Sequence, residues 1–532
     1  MKHRCALMLL AGVLGLGIGP MARAGKDPEE RYIVKYREAV TSGALRSGRQ
    51  TDLRVERELP NHHAAALRLT PAEAAAMARD PAVEFMEPDP VRVPVGVIRA
   101  KPSGADILPS GTTPSQQITP YGISLVQAKG LPGVRSAGVK VCVIDSGYDL
   151  GHEDKPLSPA VTGVDDLLGA GPWREDGNGH GTHVSGTINA KNNTVGVLGV
   201  FPGAPMHIVR VFGNEGTWMY SSDLVAALDR CMAAGAKVIN MSLGGDAPST
   251  LERTAFRAAY DAGVIAVAAA GNDGDTRYSF PASYPSVISV AAIDQNLRRA
   301  PFSNRNNRVT LAAPGVSVLS TVPRGTVSNA TLQSPLGSIG VIPMDNFPIP
   351  ANPVSAPLAD CGLAETPADC IGAQGAICLI ERGTVTFAVK ARSCQAAGGV
   401  GALVYNQSGE TGPVYGTLGT TRVSIPVVGT DRATGVGLRD AYLGSPVTLT
   451  FDTTTFDYDY YSGTSMATPH VAGVAALVWS RHPACDSATI RKSLNVTARD
   501  LGVPGRDPQY GLGMVRAKAA NAWLDLQPCA LN

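Results

Sequence analysis

GTSMATPHVAGVAALVWS, residues 463–480, sets a serine among small residues directly ahead of an apolar, Ala/Val-rich run. The run is about four or five helical turns long. It reads as a buried helix beginning beside Ser465. A helix N-terminus presents unpaired N–H groups and partial positive charge, which favour negative charge developing next to a hydroxyl. Gly463, Thr464 and Ala467 leave space for a substrate backbone. Pro469 is expected in the first turn, where its missing N–H costs nothing. The bland alternative is a capped core helix with an ordinary serine.

A nucleophilic serine needs a base, and the base needs an orienting acid. EDGNGHGTHVSGT, residues 175–187, contains His180, while VKVCVIDSGYD, residues 139–149, ends a β-branched strand on Asp145. VIAVAAAGNDG, residues 264–274, reads as a buried strand running into a glycine turn at Asn272. Alone, each has a structural reading: a core histidine, a turn aspartate, a left-handed turn asparagine. Together, in the chain order Asp, His, Ser and each in a glycine-rich frame, they resemble the subtilisin-like serine proteases, or subtilases. That resemblance implies Ser465 as nucleophile, His180 as general base and then acid, and Asp145 as the group that orients the imidazole. It makes the Asn272 amide and the Ser465 N–H the oxyanion donors.

The same resemblance places an extended substrate along Ser242, Leu243 and Gly244, pairing as an added strand. Ala269, Ala270 and Gly271 form the second wall of the specificity pocket, with Ser279 at its base. A small residue there implies large apolar or aromatic side chains before the scissile bond. KNNTVGVLGV, residues 191–200, matches the family's calcium loop. The implied ligands are the Gln117 amide oxygen, the Asp154 carboxylate, the Asn193 side chain and the carbonyls of Lys191, Val195 and Val197, all hard oxygens. An Asn-rich turn without metal is the alternative. Zinc is disfavoured, because HGTH lacks the Glu of the HExxH pattern.

The chain opens with Lys2 and Arg4, an apolar run from Ala6 to Ile18, and small residues at Ala22 and Ala24. This is the layout of a secretory signal over residues 1–24, and the apolar run is short for a membrane span. A secreted protein is expected. With 46 Lys+Arg against 45 Asp+Glu, net charge +1, nothing favours nucleic acid or membrane surfaces. Nine cysteines, less Cys5 in the leader, leave an even eight, which favours disulfides in an oxidising compartment. Spacing does not fix their connectivity. The pairs expected are Cys142 with Cys231, Cys361 with Cys370, Cys378 with Cys394, and Cys485 with Cys529, buried thiols being the alternative for the first pair.

Residues 25–96 read strand (RYIVKY), capped helix (TPAEAAAMARD), strand (VEFMEPD), and resemble the subtilisin-type inhibitory propeptide. Residues 97–116, rich in Pro, Gly and Ser, look like the linker, with maturation expected between Val97 and Gln117. Residues 117–326 and 451–532 carry the catalytic domain. Apolar strands alternate there with helix-like segments, the pattern of a doubly wound parallel sheet with functional groups at the strand carboxyl ends. Residues 327–450 are inserted, and GAICLIERGTVTFAVKARSCQAAGGVGALVYNQ within them resembles the protease-associated (PA) domain, a mainly β unit. The fold class is therefore α/β, with a small α+β propeptide and a mainly β insertion. A monomeric endopeptidase acting on protein or peptide substrates, inhibited by its own propeptide and stabilised by calcium, is expected. The competing readings are a noncatalytic peptide binder and an esterase; no G-x-S-x-G elbow surrounds Ser465 to support the latter.

Overall fold

The computed structural model describes residues 29–37, 54–95, 98–99, 114, 116–134, 138–165, 170–213, 219–326, 330–344, 349–383, 385–408, 414, 418, 423–451, 456–527 and 529. The expected leader 1–24 and most of the linker 97–116 lie outside these residues.

Seven strands form one parallel sheet. Their spatial order is Leu311–Pro314, Val287–Ile293, Ile265–Ala269, Ala236–Met241, Lys140–Asp145, Met206–Arg210 and Val161–Val164. These strands are nearly continuous in Val, Ile and Ala because both faces are covered. Alternate side chains enter different cores. Val141 and Val143 pack on the side of helices His180–Asn189 and Thr464–Arg481, whereas Cys142 and Ile144 pack toward helices Ser221–Ala233 and Thr250–Asp261. From Lys140–Asp145 the chain moves to one side of the sheet and later crosses to the other. That leaves a crevice at the carboxyl ends of the central strands.

Residues 464–480 of helix Thr464–Arg481 are all buried. Pro469 departs from expectation, lying inside the helix rather than in its first turn. The proline leaves the Ser465 carbonyl without its helical N–H donor. The Ser242 hydroxyl donates to that carbonyl instead, at 2.8 Å.

The N-terminal unit is a four-stranded antiparallel sheet in the order Arg54–Leu59, Ala64–Leu69, Glu30–Tyr36, Val83–Pro88. Helix Pro71–Met77 starts in a capping box between Thr70 and Glu73. The hairpin Arg54–Leu59/Ala64–Leu69 was not expected, since its alanine-rich second strand has helical propensity that pairing with Glu30–Tyr36 overrides. The insertion closes into a seven-stranded barrel running from Ala330–Ser334 to Pro446–Phe451. All four expected cysteine pairs are bonded. No helix among the described residues is long and apolar enough to cross a membrane.

Candidate active site

Asp145 closes the central strand Lys140–Asp145, and its Oδ1 accepts the N–H of Ser146 at 2.7 Å. His180 is the first residue of helix His180–Asn189. Gly179 precedes it at φ 89°, a left-handed conformation that a side chain would strain. The His180 Nδ1 lies 2.7 Å from Asp145 Oδ1, both side chains buried. The other ring nitrogen, Nε2, is buried without a hydrogen-bond partner among the described residues.

Sequence reading passed over Asp176, which sits in the same frame four residues before His180. Its carboxylate accepts the Ser146 hydroxyl and the Gly179 N–H, each at 2.9 Å, and the Thr182 N–H and hydroxyl, each at 2.7 Å. It thereby caps the histidine's helix with negative charge. Burial disfavours the imidazolium, but the Asp145 charge and hydrogen bond, helped by Asp176, prevail and raise the His180 pKa. His183 behaves differently. Burial pushes it down to about 3, its Nε2 faces the Val318 carbonyl at 2.9 Å, and its ring stacks on Tyr461 at 4.3 Å, so it is a core side chain.

Ser465 stands in the first turn of its helix and donates to the carbonyls of Val95, at 2.9 Å, and Ser242, at 3.1 Å. The Asn272 Oδ1 accepts the Thr464 N–H at 2.9 Å and the Thr464 hydroxyl at 2.8 Å. These two bonds fix the orientation of the Asn272 amide beside the first turn of the Ser465 helix.

Val95 belongs to the chain's own N-terminal region. Its N–H donates to Ser242 O at 3.3 Å, and strand Val91–Pro94 runs antiparallel between Leu243–Gly244 and Met219–Tyr220. Beyond Val95, Ile98–Arg99 pairs antiparallel with Phe456–Ser462. The described backbone on both sides of positions 96–97 is thus paired with strands of the catalytic domain. Just upstream, Glu87 accepts the N–H groups of Thr250 (2.8 Å) and Leu251 (3.0 Å), and Asp89 accepts the N–H of Ser222 (3.0 Å). Two carboxylates therefore sit on two helix N-termini, a favourable placement of negative charge.

The residues expected to wall the specificity pocket gather at the same place. Ala269 and Ala270 are buried at the end of strand Ile265–Ala269, and Gly271 has φ 108°. A Cβ on Gly244 would meet Ser279 Oγ at 2.1 Å and Val95 Cγ2 at 3.5 Å, so a side chain there would displace the Ser279 hydroxyl.

Most of the expected cation ligands lie together. The Gln117 Nε2 donates to Lys191 O at 2.7 Å, Asn193 Oδ1 at 3.2 Å and Val197 O at 3.5 Å. The amide thus turns its nitrogen toward these oxygens, where the expectation was its oxygen; a cation there would require the amide to be turned over. Asp154, fully buried, accepts the N–H of Val197 at 2.7 Å and the Asn193 amide at 2.9 Å. Burial pushes its pKa up to about 7. A buried carboxylate beside a cluster of neutral oxygens, with no cationic side chain bonded to it among the described residues, fits a hard cation. The Val195 N–H donates to Asn193 Oδ1 at 3.0 Å and so shapes the same turn.

The sequence model of the subtilase family matches residues 136–338 and 418–513, and that of the PA domain matches residues 353–438. The chain is 33% identical over 333 residues to subtilisin amylosacchariticus of Bacillus subtilis subsp. amylosacchariticus, spanning 60% of this chain and 81% of that protein. It is 34% identical over 324 residues to an alkaline protease of Shouchella clausii, spanning 58% and 78%. Among solved structures, the psychrophilic subtilisin-like protease Apa1 from Pseudoalteromonas sp. AS-11 superposes with a TM-score of 0.52 at 42% identity, covering 77% of this chain and 98% of that one. The chain is a subtilisin-like serine endopeptidase of the subtilase family, with an inserted PA domain.

Proposed function

We propose that Ser465, His180 and Asp145 form the catalytic relay, that Asn272 and the Ser465 N–H receive the oxyanion, and that the first bond cut is the chain's own Val95–Gly96. The observation that supports this most is the Ser465 hydroxyl 2.9 Å from the Val95 carbonyl oxygen, with that residue held by Ser242 in strand geometry. Rotation of the hydroxyl toward the open Nε2 of His180 aims an oxygen lone pair at the Val95 carbonyl carbon. The Oγ–C bond forms as the proton passes to His180, and the imidazolium is stabilised by Asp145. His180 then gives that proton to the departing Gly96 nitrogen, breaking the C–N bond. Water repeats the sequence on the acyl-enzyme and restores Ser465.

Residues 25–95 remain docked after the cut as an inhibitor, because strand pairing and the Glu87 and Asp89 contacts do not depend on the broken bond. This proposed cut lies just upstream of the window Val97–Gln117 expected from the sequence, whose residues are trimmed or released afterwards. Apolar residues suit the pocket beside Gly244 and Ser279, where Val95 is the bound example, and large apolar or aromatic ones are the proposed preference in other substrates. Residues 1–24 direct export, and the mature enzyme acts outside the cell as a monomer. Gln117, Asp154, Asn193 and the carbonyls of Lys191, Val195 and Val197 would hold calcium, which supplies positive charge that pins the loop to the body of the domain. The test is incubation with casein and with a serine-directed fluorophosphonate. Hydrolysis and labelling in the wild type, and neither in Ser465→Ala, are expected; labelling of Ser465→Ala at wild-type level would overturn the assignment.

A further inference from the structure

The strand Val91–Pro94 alternates in exposure. Val91 and Val93 are 41% and 43% exposed, whereas Arg92 between them is fully buried. Counting back from Val95, Arg92 is the fourth residue before the bond at Ser465. Its guanidinium is held in a fork, with Nε donating to Glu252 Oε1 at 3.0 Å and Nη2 to Glu252 Oε2 at 2.5 Å. Glu252 is itself fully buried, in the first turn of helix Thr250–Asp261. Tyr284 donates its hydroxyl to Glu252 Oε2 at 2.7 Å, and the Glu252 N–H donates to Ser249 Oγ at 3.1 Å. A Cβ on Gly245 would meet Arg92 Nη1 at 3.0 Å and Val91 O at 2.3 Å, so the missing side chain opens the way in.

This pocket differs from the other contacts of the docked segment. Glu87 and Asp89 are acids of the N-terminal region placed on helices of the catalytic domain; here the acid belongs to the catalytic domain and stays when the segment leaves. It lies on the line that any extended substrate pairing with Leu243–Gly244 must follow. Once Arg92 departs, the carboxylate retains one hydroxyl donor and its helix N-terminus, but its cation is gone.

We infer that Glu252, positioned by Tyr284, is a specificity-determining residue that selects arginine at the fourth position before the scissile bond. The inference rests on the endopeptidase reading and deepens it by naming a substrate class. A neutral side chain in this pocket leaves a buried carboxylate without its counter-charge, and that penalty falls on the wrong substrate. Lysine supplies charge but not the planar fork, so it ranks between arginine and leucine. Glutamate places like charges together and ranks last.

The test uses the mature enzyme and peptides copied from residues 89–98, Asp-Pro-Val-X-Val-Pro-Val-Gly-Val-Ile, with X as Arg, Lys, Leu or Glu. The kcat/KM for Arg is expected to exceed that for Leu by on the order of 10²-fold. In Glu252→Gln the Arg-to-Leu ratio is expected to fall toward unity, with fluorophosphonate labelling reporting whether that variant is folded. Should the variant fail to fold, the four-peptide series on the wild type decides alone. Cleavage of Arg and Leu peptides at equal rates would overturn the subsite while leaving the endopeptidase intact. No cleavage of any peptide, together with no labelling, would sink the endopeptidase reading and the subsite with it.

Discussion

The catalytic groups and the segment lying across them are held to the same sheet by different forces. Asp145, His180 and Ser465 hang on a strand and two helices whose apolar faces are fully buried. Each large apolar side chain in that core contributes roughly 1.5–3 kcal/mol, a term with little dependence on pH or salt. The N-terminal region is fastened by an apolar patch, Ile33, Leu59 and Ala64 packed into the core beside helices Ser221–Ala233 and Thr250–Asp261, and by a set of charged contacts. Glu87 and Asp89 sit on helix N-termini, Arg31 pairs with Asp89 at 2.9 Å and Asp223 at 3.1 Å, Arg57 pairs with Asp223 at 2.8 Å, and Arg92 pairs with Glu252. On the proposed reading the first region stays and the second is let go. Burial raises the Asp89 pKa to about 6, against the pull of Ser222 and Arg31. A carboxyl that holds its proton more tightly when docked favours docking at low pH, and that contribution is lost as pH rises through about 6.

Changes in the first region should have the larger effects. Ser465→Ala is expected to slow self-cleavage by about 10⁶-fold, leaving full-length chain on a denaturing gel. Asn272→Ala should lower kcat by roughly 10²–10³-fold, since one oxyanion donor is removed. Glu87→Gln, with Asp89 left in place, acts on the second region only. It should weaken docking by about tenfold, so that activity appears sooner after self-cleavage. Gel filtration of the cleaved complex should likewise find it more dissociated at pH 8 than at pH 5. Asp176→Asn is the subtlest change. Loss of its charge should move the acid limb of kcat/KM to lower pH, because Asp176 helps to raise the His180 pKa. An unmoved limb would confine Asp176 to capping its helix.

The same division governs what could be read from the sequence. Asp145, His180, Asn272 and Ser465 each occupy a local frame in which the strand end, the glycine and the following turn or helix are written next to the residue. The parallel sheet was legible for the same reason, as runs of Val, Ile and Ala alternating with helical patterns. Its edge strands Val161–Val164 and Leu311–Pro314 were not, being only four residues each. Pro469 was placed a turn too early, because the hydroxyl that replaces its missing donor comes from Ser242, 223 residues away. Arg92 reads as an ordinary arginine near the end of the propeptide-like stretch until the fold brings Glu252, 160 residues on, beneath it. Contacts made by single charged side chains across such separations leave no periodicity to detect.

The central claim is that Ser465 faces its own first substrate bond, and mass spectrometry of the N-terminal fragment released on incubation tests it most directly. The account predicts a fragment ending at Val95 from the wild type and none from Ser465→Ala. A fragment ending elsewhere, or the same fragment from both proteins, would contradict it.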